Sequence, residues 1–205
     1  MKDLDAPGPE RARIVIENGV DLHHFGDGDL SGVERSGVVY VGAIDFRFDW
    51  DFLIQCAMSV FPERVVLAGP VVGGSVPSNI PSNVELVGAV DYSSLPSLLS
   101  SFKVGILPLN SDPSNAGRSP MKFYEYLACK LYVVSTSTDT LAARAPVPGS
   151  FLFSHYSDGI SSVARFLDQA GPNTAGCEFA RSQSWESKAK VLERFLQSLQ
   201  NEVER

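Results

Sequence analysis

Four short apolar runs constrain this chain most: 37–41 (GVVYV), 64–68 (RVVLA), 104–107 (VGIL) and 131–135 (LYVVS). None alternates polar with apolar residues. A strand with one wet face alternates, so these runs read as strands covered on both faces, as in parallel sheets. Shorter runs at 84–87 and 151–153 extend the set, and 13–17 (RIVIE), closed by the turn pair Asn18-Gly19, is a further strand candidate. Helical stretches separate the strands. Over 50–61, Trp50, Leu53, Ile54, Ala57, Met58 and Phe61 fall on one helical face, with Asp49 as cap. Further helices are expected over 93–102, 156–170 and 184–200, the last capped by Ser184. Alternating strands and helices predict an α/β fold, a Rossmann-like doubly wound parallel sheet of about six strands. Such sheets bind ligands at the carboxyl ends of their strands, so the loops after Val41, Ala68 and Leu107 share one functional rim.

The stretch 117–128 (GRSPMKFYEYLA) runs from that rim into a helix. Ser119 is a good cap and Pro120 suits the first helical position. Met121, Tyr124, Leu127 and Ala128 recur at helical spacing as a buried face. Its charge is unusual. A helix start carries partial positive charge and favours carboxylates, yet Arg118 and Lys122 stand there. An anion between them resolves the repulsion, and phosphate at a helix N-terminus is a common solution. Gly117 lets the backbone approach it. Glu125, three residues after Lys122, could accept hydrogen bonds from sugar hydroxyls; the plainer reading is a solvated Lys–Glu pair.

Lys and Arg total 17 against 24 Asp and Glu, a net charge of −7 in 205 residues. That balance argues against a nucleic-acid partner, which needs a concentrated basic surface. Cys56, Cys129 and Cys177 show neither metal-ligand spacing nor a disulfide framework, so a cytoplasmic location is expected. No run of about 18 apolar residues suggests a membrane span, and residues 1–13 lack an apolar signal-peptide core. Asp27-Gly28-Asp29 reads as a solvated turn rather than a metal–diphosphate site. His23, His24 and His155 read as surface or cap residues rather than catalysts, and Trp185 and Phe195 as packing the last helix. The chain is expected to be one domain over 1–205, with a lead-in segment and loop (1–35), a core (36–170) and a C-terminal helical segment (171–205).

Four stretches resemble the C-terminal, donor-binding half of GT-B glycosyltransferases of the broad family 4 type. Glu17-Asn18-Gly19-Val20-Asp21 with Phe25 is similar to that half's opening motif, and 39–44 (VYVGAI) to its first strand and glycine loop. The stretch 81–88 (PSNVELVG) with 95–99 is similar to a later strand and helix. The stretch 120–128 (PMKFYEYLA) is similar to the donor-site helix in the version of exopolysaccharide and teichuronic-acid transferases. The resemblance implies a nucleotide-sugar site formed by Gly42, Ala43, Gly69, Pro70, Gly117, Arg118, Met121, Lys122 and Glu125. Glu125 would hold the ribose, Lys122 the diphosphate, and Gly42-Ala43 would let backbone amides approach the phosphates. The donor is a UDP-sugar in preference to a GDP-sugar, with no metal and no further cofactor.

The chain departs from the family at several places. Gly117 stands where a second Glu is common. Lys130 and Tyr132 replace the glycine and proline of the following turn; a non-glycine residue such as Lys130 there costs about 1 kcal/mol or forces another turn. The usual Arg and Lys after the first glycine loop are absent, with Arg47 as a substitute. The resemblance also implies a partner: an N-terminal acceptor-binding domain or separate subunit that brings the catalytic base and any membrane contact at the inner face. An exposed apolar patch is expected toward it. In a complete enzyme the pair would transfer sugar to a polysaccharide or lipid-linked acceptor. Alternatives are a non-catalytic binding or scaffold subunit, a split-enzyme half that has lost independent activity, and half of a nucleotide-sugar 2-epimerase, which shares the fold.

Overall fold

A computed structural model describes residues 13–26, 34–74, 76–118 and 120–203. The Asp27–Asp29 turn and the Ser119 cap lie outside the described residues. In chain order the elements are α1 (Leu22–Phe25), β1 (Val38–Val41), α2 (Trp50–Ser59), β2 (Val65–Ala68), β3 (Val84–Gly88), α3 (Leu95–Ser100) and β4 (Val104–Leu107). They continue with α4 (Met121–Ala128), β5 (Tyr132–Thr136), α5 (Asp139–Ala142), β6 (Ser150–Phe153), α6 (Tyr156–Leu167), α7 (Thr174–Arg181) and α8 (Trp185–Val203). Short 3₁₀ turns at Tyr92–Ser94 and Pro113–Asn115 precede α3 and α4.

All six strands pair in parallel in the order β3-β2-β1-β4-β5-β6. The chain winds outward from β1 in one direction and then from β4 in the other, which puts the switch point between those two strands. Every residue of β1, β2 and β4 is buried, as runs without alternation require.

Several expectations are corrected. Residues 13–17 form no strand: Val15 is 87% exposed, and the sheet already ends at β3 and β6. Glu17 instead ion-pairs with Arg144. The buried arc of α2 is Phe52, Leu53, Cys56 and Ala57, while Met58 and Phe61 are exposed. This helix is apolar almost all round, and contact with the sheet side selects the arc: Phe52 stacks on Phe153 of β6 with ring centroids 4.3 Å apart. Asp49 does cap α2, its carboxylate accepting from the Phe52 amide at 2.9 Å.

Helix α4 is buried on all sides from Phe123 to Ala128 rather than on one face, and Met121 is the exposed member. Pro120 is its cap residue, not its first helical residue. The unforeseen α7 covers α4; a Cβ on Gly176 would come within 2.7 Å of Leu127. Helix α4 ends in a Schellman turn. The Lys130 and Leu131 amides donate to the Leu127 and Tyr126 carbonyls, both at 2.9 Å, with Lys130 left-handed at φ 63°. Ser184 caps α8 through the Ser187 amide at 3.1 Å. Trp185 only leans on Gly19 and stays 44% exposed, and Leu192 and Leu196 are also exposed, so α8 carries an open apolar side.

Candidate functional site

The site begins with a wedge. Alternate amides of β1 face β2: Val38 donates to the Arg64 carbonyl and Gly42 to the Ala68 carbonyl, each at 2.9 Å. The Val39 and Val41 amides face β4, but β1–β4 pairing stops at Val39↔Gly105. The ring of Tyr126, from α4, occupies the space above Gly105, where a Cβ would stand 2.3 Å from Cδ2. Its hydroxyl accepts the Val41 amide at 2.7 Å. Burial holds the Tyr126 phenol well above its ordinary pKa, so it stays protonated. The two central strands therefore part at their carboxyl ends, and a crevice opens there.

A cavity of about 190 Å³ fills this crevice. Gly42, Ala43, Asp45 and Arg47 line it from the β1 exit, and Arg118, Met121 and Lys122 from the start of α4. Three cations thus face one carboxylate in a chain of net charge −7. The one carboxylate, Asp45, is bound by the Arg47 guanidinium, which holds it below the usual carboxylate range. Arg118 is fixed at its backbone by the Thr138 hydroxyl, at 3.0 Å from its carbonyl. Tyr40 shapes the glycine loop by donating to the Ala43 carbonyl at 2.9 Å, and burial pushes its pKa up to about 12. Lys122 Nζ binds Glu125 Oε2 at 2.7 Å. Glu125 is buried one turn inside α4.

Five of the nine expected site residues meet in this cavity: Gly42, Ala43, Arg118, Met121 and Lys122. Glu125 touches it through Lys122. Gly69 and Pro70 lie behind the glycine loop. A Cβ on Gly69 would fall 1.8 Å from the Gly42 carbonyl oxygen, and the Pro70 carbonyl accepts the Ile44 amide at 2.9 Å. Gly117 lies outside the cavity, with open space where its Cβ would be. Of the histidines, His24 stacks on Tyr92 with centroids 4.0 Å apart and His155 stands at the start of α6. Sequence reasoning missed Tyr126, Tyr40 and Asp45. The glycine inside β4 was the available signal for the first, because a strand glycine often marks a close approach.

The profile of the family described as glycosyl transferases group 1 matches residues 35–165. The chain belongs to this family. It is 27% identical over 188 residues to TuaH of Bacillus subtilis (strain 168), whose name assigns it to glycosyl transfer in teichuronic acid biosynthesis; the match covers 83% of this chain and 47% of TuaH. Among solved structures, sucrose-phosphate synthase from Thermosynechococcus elongatus superposes with a TM-score of 0.71 at 20% identity, over 90% of this chain and 52% of that one. Anabaena HepE in complex with UDP-glucose gives 0.67 at 15% identity, over 92% and 57%. The group 1 chain thus spans about half the length of the relatives it matches, and its Rossmann-like fold is that of one half of a GT-B glycosyltransferase. Among the described residues, no helix of this glycosyltransferase domain is long and apolar enough to cross a membrane.

Proposed function

We propose that this chain is the donor-binding half of a group 1 glycosyltransferase, with a nucleoside diphosphate sugar seated at the β1/β4 crevice. The observation that carries this reading is the convergence of Arg47, Arg118 and Lys122 on one cavity at the switch point. The diphosphate lies among these cations, at the glycine loop and the positive end of α4. As the sugar leaves, negative charge grows on that diphosphate. Cations already fixed in place stabilise it without rearrangement, and no metal is required. Glu125 uses Oε2 for Lys122, and Oε1 keeps acceptor capacity for ribose hydroxyls.

A cavity of about 190 Å³ is smaller than the usual small-molecule site of about 300–1,000 Å³. It suits the diphosphate, and an acceptor-binding half closes over the remainder. UDP is the expected nucleotide, in line with the UDP-glucose complex of HepE. A polysaccharide or lipid-linked acceptor, reached from the cytoplasmic side with membrane contact through the other half, fits the naming of TuaH. Gly117, which leaves open space before Arg118, favours a second reading: a binding half without catalytic competence.

The test is calorimetric titration with UDP, UDP-glucose, UDP-glucuronate and GDP-mannose. Saturable binding of a uridine nucleotide is expected, weakened about tenfold or more, or roughly 1.4 kcal/mol, in both Lys122→Ala and Glu125→Ala. Absence of binding by the folded protein would overturn the donor-site reading in favour of a scaffold.

A further inference from the structure

A second cavity, of about 620 Å³, opens at the carboxyl ends of β4, β5 and β6. Phe48 and Leu109, joined by an antiparallel bridge, line both cavities and form the wall between them. The second is of ordinary ligand-site size. Its charge is opposite to that of the first. Asp49, Asp51 and Asp112 line it, and among the described residues no Lys, Arg or His does. A phosphate group is repelled there.

The carboxylates do not form a cation site either. Asp49, 7% exposed, already accepts from the Phe52 amide at 2.9 Å and the Tyr156 hydroxyl at 2.6 Å. Asp112 accepts from the Ser114 amide at 2.9 Å and its hydroxyl at 2.6 Å. Apart from Asp51, which is exposed, the remaining lining is uncharged, and it includes two kinds of surface that bear on recognition. Trp50 and Tyr156 present half-buried aromatic surface, and Ser111, Ser137 and Ser154 present small polar groups. Electron-rich ring faces attract polarised C–H groups, while hydroxyls and a carboxylate pair with ligand hydroxyls. A pyranose ring offers both kinds of surface and no charge.

We propose that this cavity binds an uncharged saccharide, in a subsite separate from the anion cavity. The inference does not depend on the donor reading, because its residues lie on the other side of the Phe48–Leu109 wall.

The test uses the two tryptophans. Trp50 lines the cavity and Trp185 leans on Gly19. In Trp185→Phe, Trp50 emission is titrated with cellobiose, with N,N′-diacetylchitobiose and with glucose 6-phosphate. A saturable change with a neutral disaccharide in the millimolar range, and a weaker response to the phosphate, is the expected result. Asp51→Ala should weaken it about fivefold or more. Saturation-transfer NMR reports the same loss in Trp50→Ala. UDP titration of both variants, with circular dichroism, shows whether fold and anion site are intact. No saturable response from folded protein, tighter binding of the phosphate, or undiminished disaccharide binding in both variants would overturn the proposal. A failure of UDP binding alone would leave it standing.

Discussion

Tyr126→Phe removes one oxygen and tests whether the wedge opens the crevice. The Val41 amide is buried, points toward β4, and has the Tyr126 hydroxyl as its acceptor at 2.7 Å. Phenylalanine keeps the ring above Gly105 and so keeps β4 at its distance. The amide is then left buried and unpaired, at a cost of about 1–3 kcal/mol. For a chain of this size each kcal/mol lowers Tm by about 2–4 °C, so a fall of about 2–12 °C is expected. Urea denaturation followed by circular dichroism gives the free energy directly. Gly105→Ala should cost at least as much, because its Cβ would stand 2.3 Å from the ring. Ring and hydroxyl act as one unit, so the double variant should fall short of the sum of the two singles. A loss below about 0.5 kcal/mol in Tyr126→Phe would refute the reasoning. It would mean that β1 and β4 can close on each other, and that the crevice is not held open by α4.

Lys130→Gly relieves the left-handed backbone at φ 63° and should raise stability by about 0.5–1 kcal/mol, seen as a higher Tm; an unchanged or lower Tm would show the turn is unstrained. Gly69→Ala places a Cβ 1.8 Å from the Gly42 carbonyl and should cost about 3 kcal/mol and weaken UDP binding, whereas Gly117→Ala, facing open space, should stay within about 0.5 kcal/mol in the same melts. Burial pushes the Cys56 and Cys129 thiols up to about 12. Above about pH 8.5 the unfolded chain ionises these thiols while the folded chain does not, so stability is full below that pH and falls as pH rises toward 12. The loss is at most about 1.4 kcal/mol per pH unit for each thiol, and Cys56→Ala with Cys129→Ala should flatten the slope in urea melts at pH 8 to 10.5.

The parts of the fold that could be read from sequence are those where one physical cause acts alone. Strands β1, β2 and β4 show no alternation because both faces are covered. Residues 13–17 have the same local preference but no strand to pair with, and pairing is not a local property. In α2 two overlapping arcs were both apolar, and only the stacking of Phe52 on Phe153 chose between them. Helix α7 escaped notice because its buried positions include Gly176, Cys177 and Ala180, small residues that let it approach α4 closely but make a weak periodic signal.

The site divides in the same way. Arg118 and Lys122 were legible because cations at a helix start oppose the helix dipole, so the sequence itself registers a conflict that an anion resolves. Arg47 was legible only through resemblance, and Asp45 not at all, since a single Asp in a loop is ordinary. Tyr126 was hidden by its own helix: at that position an aromatic residue looks like any other core residue. Yet Tyr126 and Lys122 are one turn apart on α4, and this gives the two observations a common origin. One helix carries the cation to the rim and, through the ring at the next turn, parts the strands to make room for what the cation binds. Displacing α4 should therefore abolish both the charge and the space, while truncating Lys122 should remove the charge and leave the crevice open.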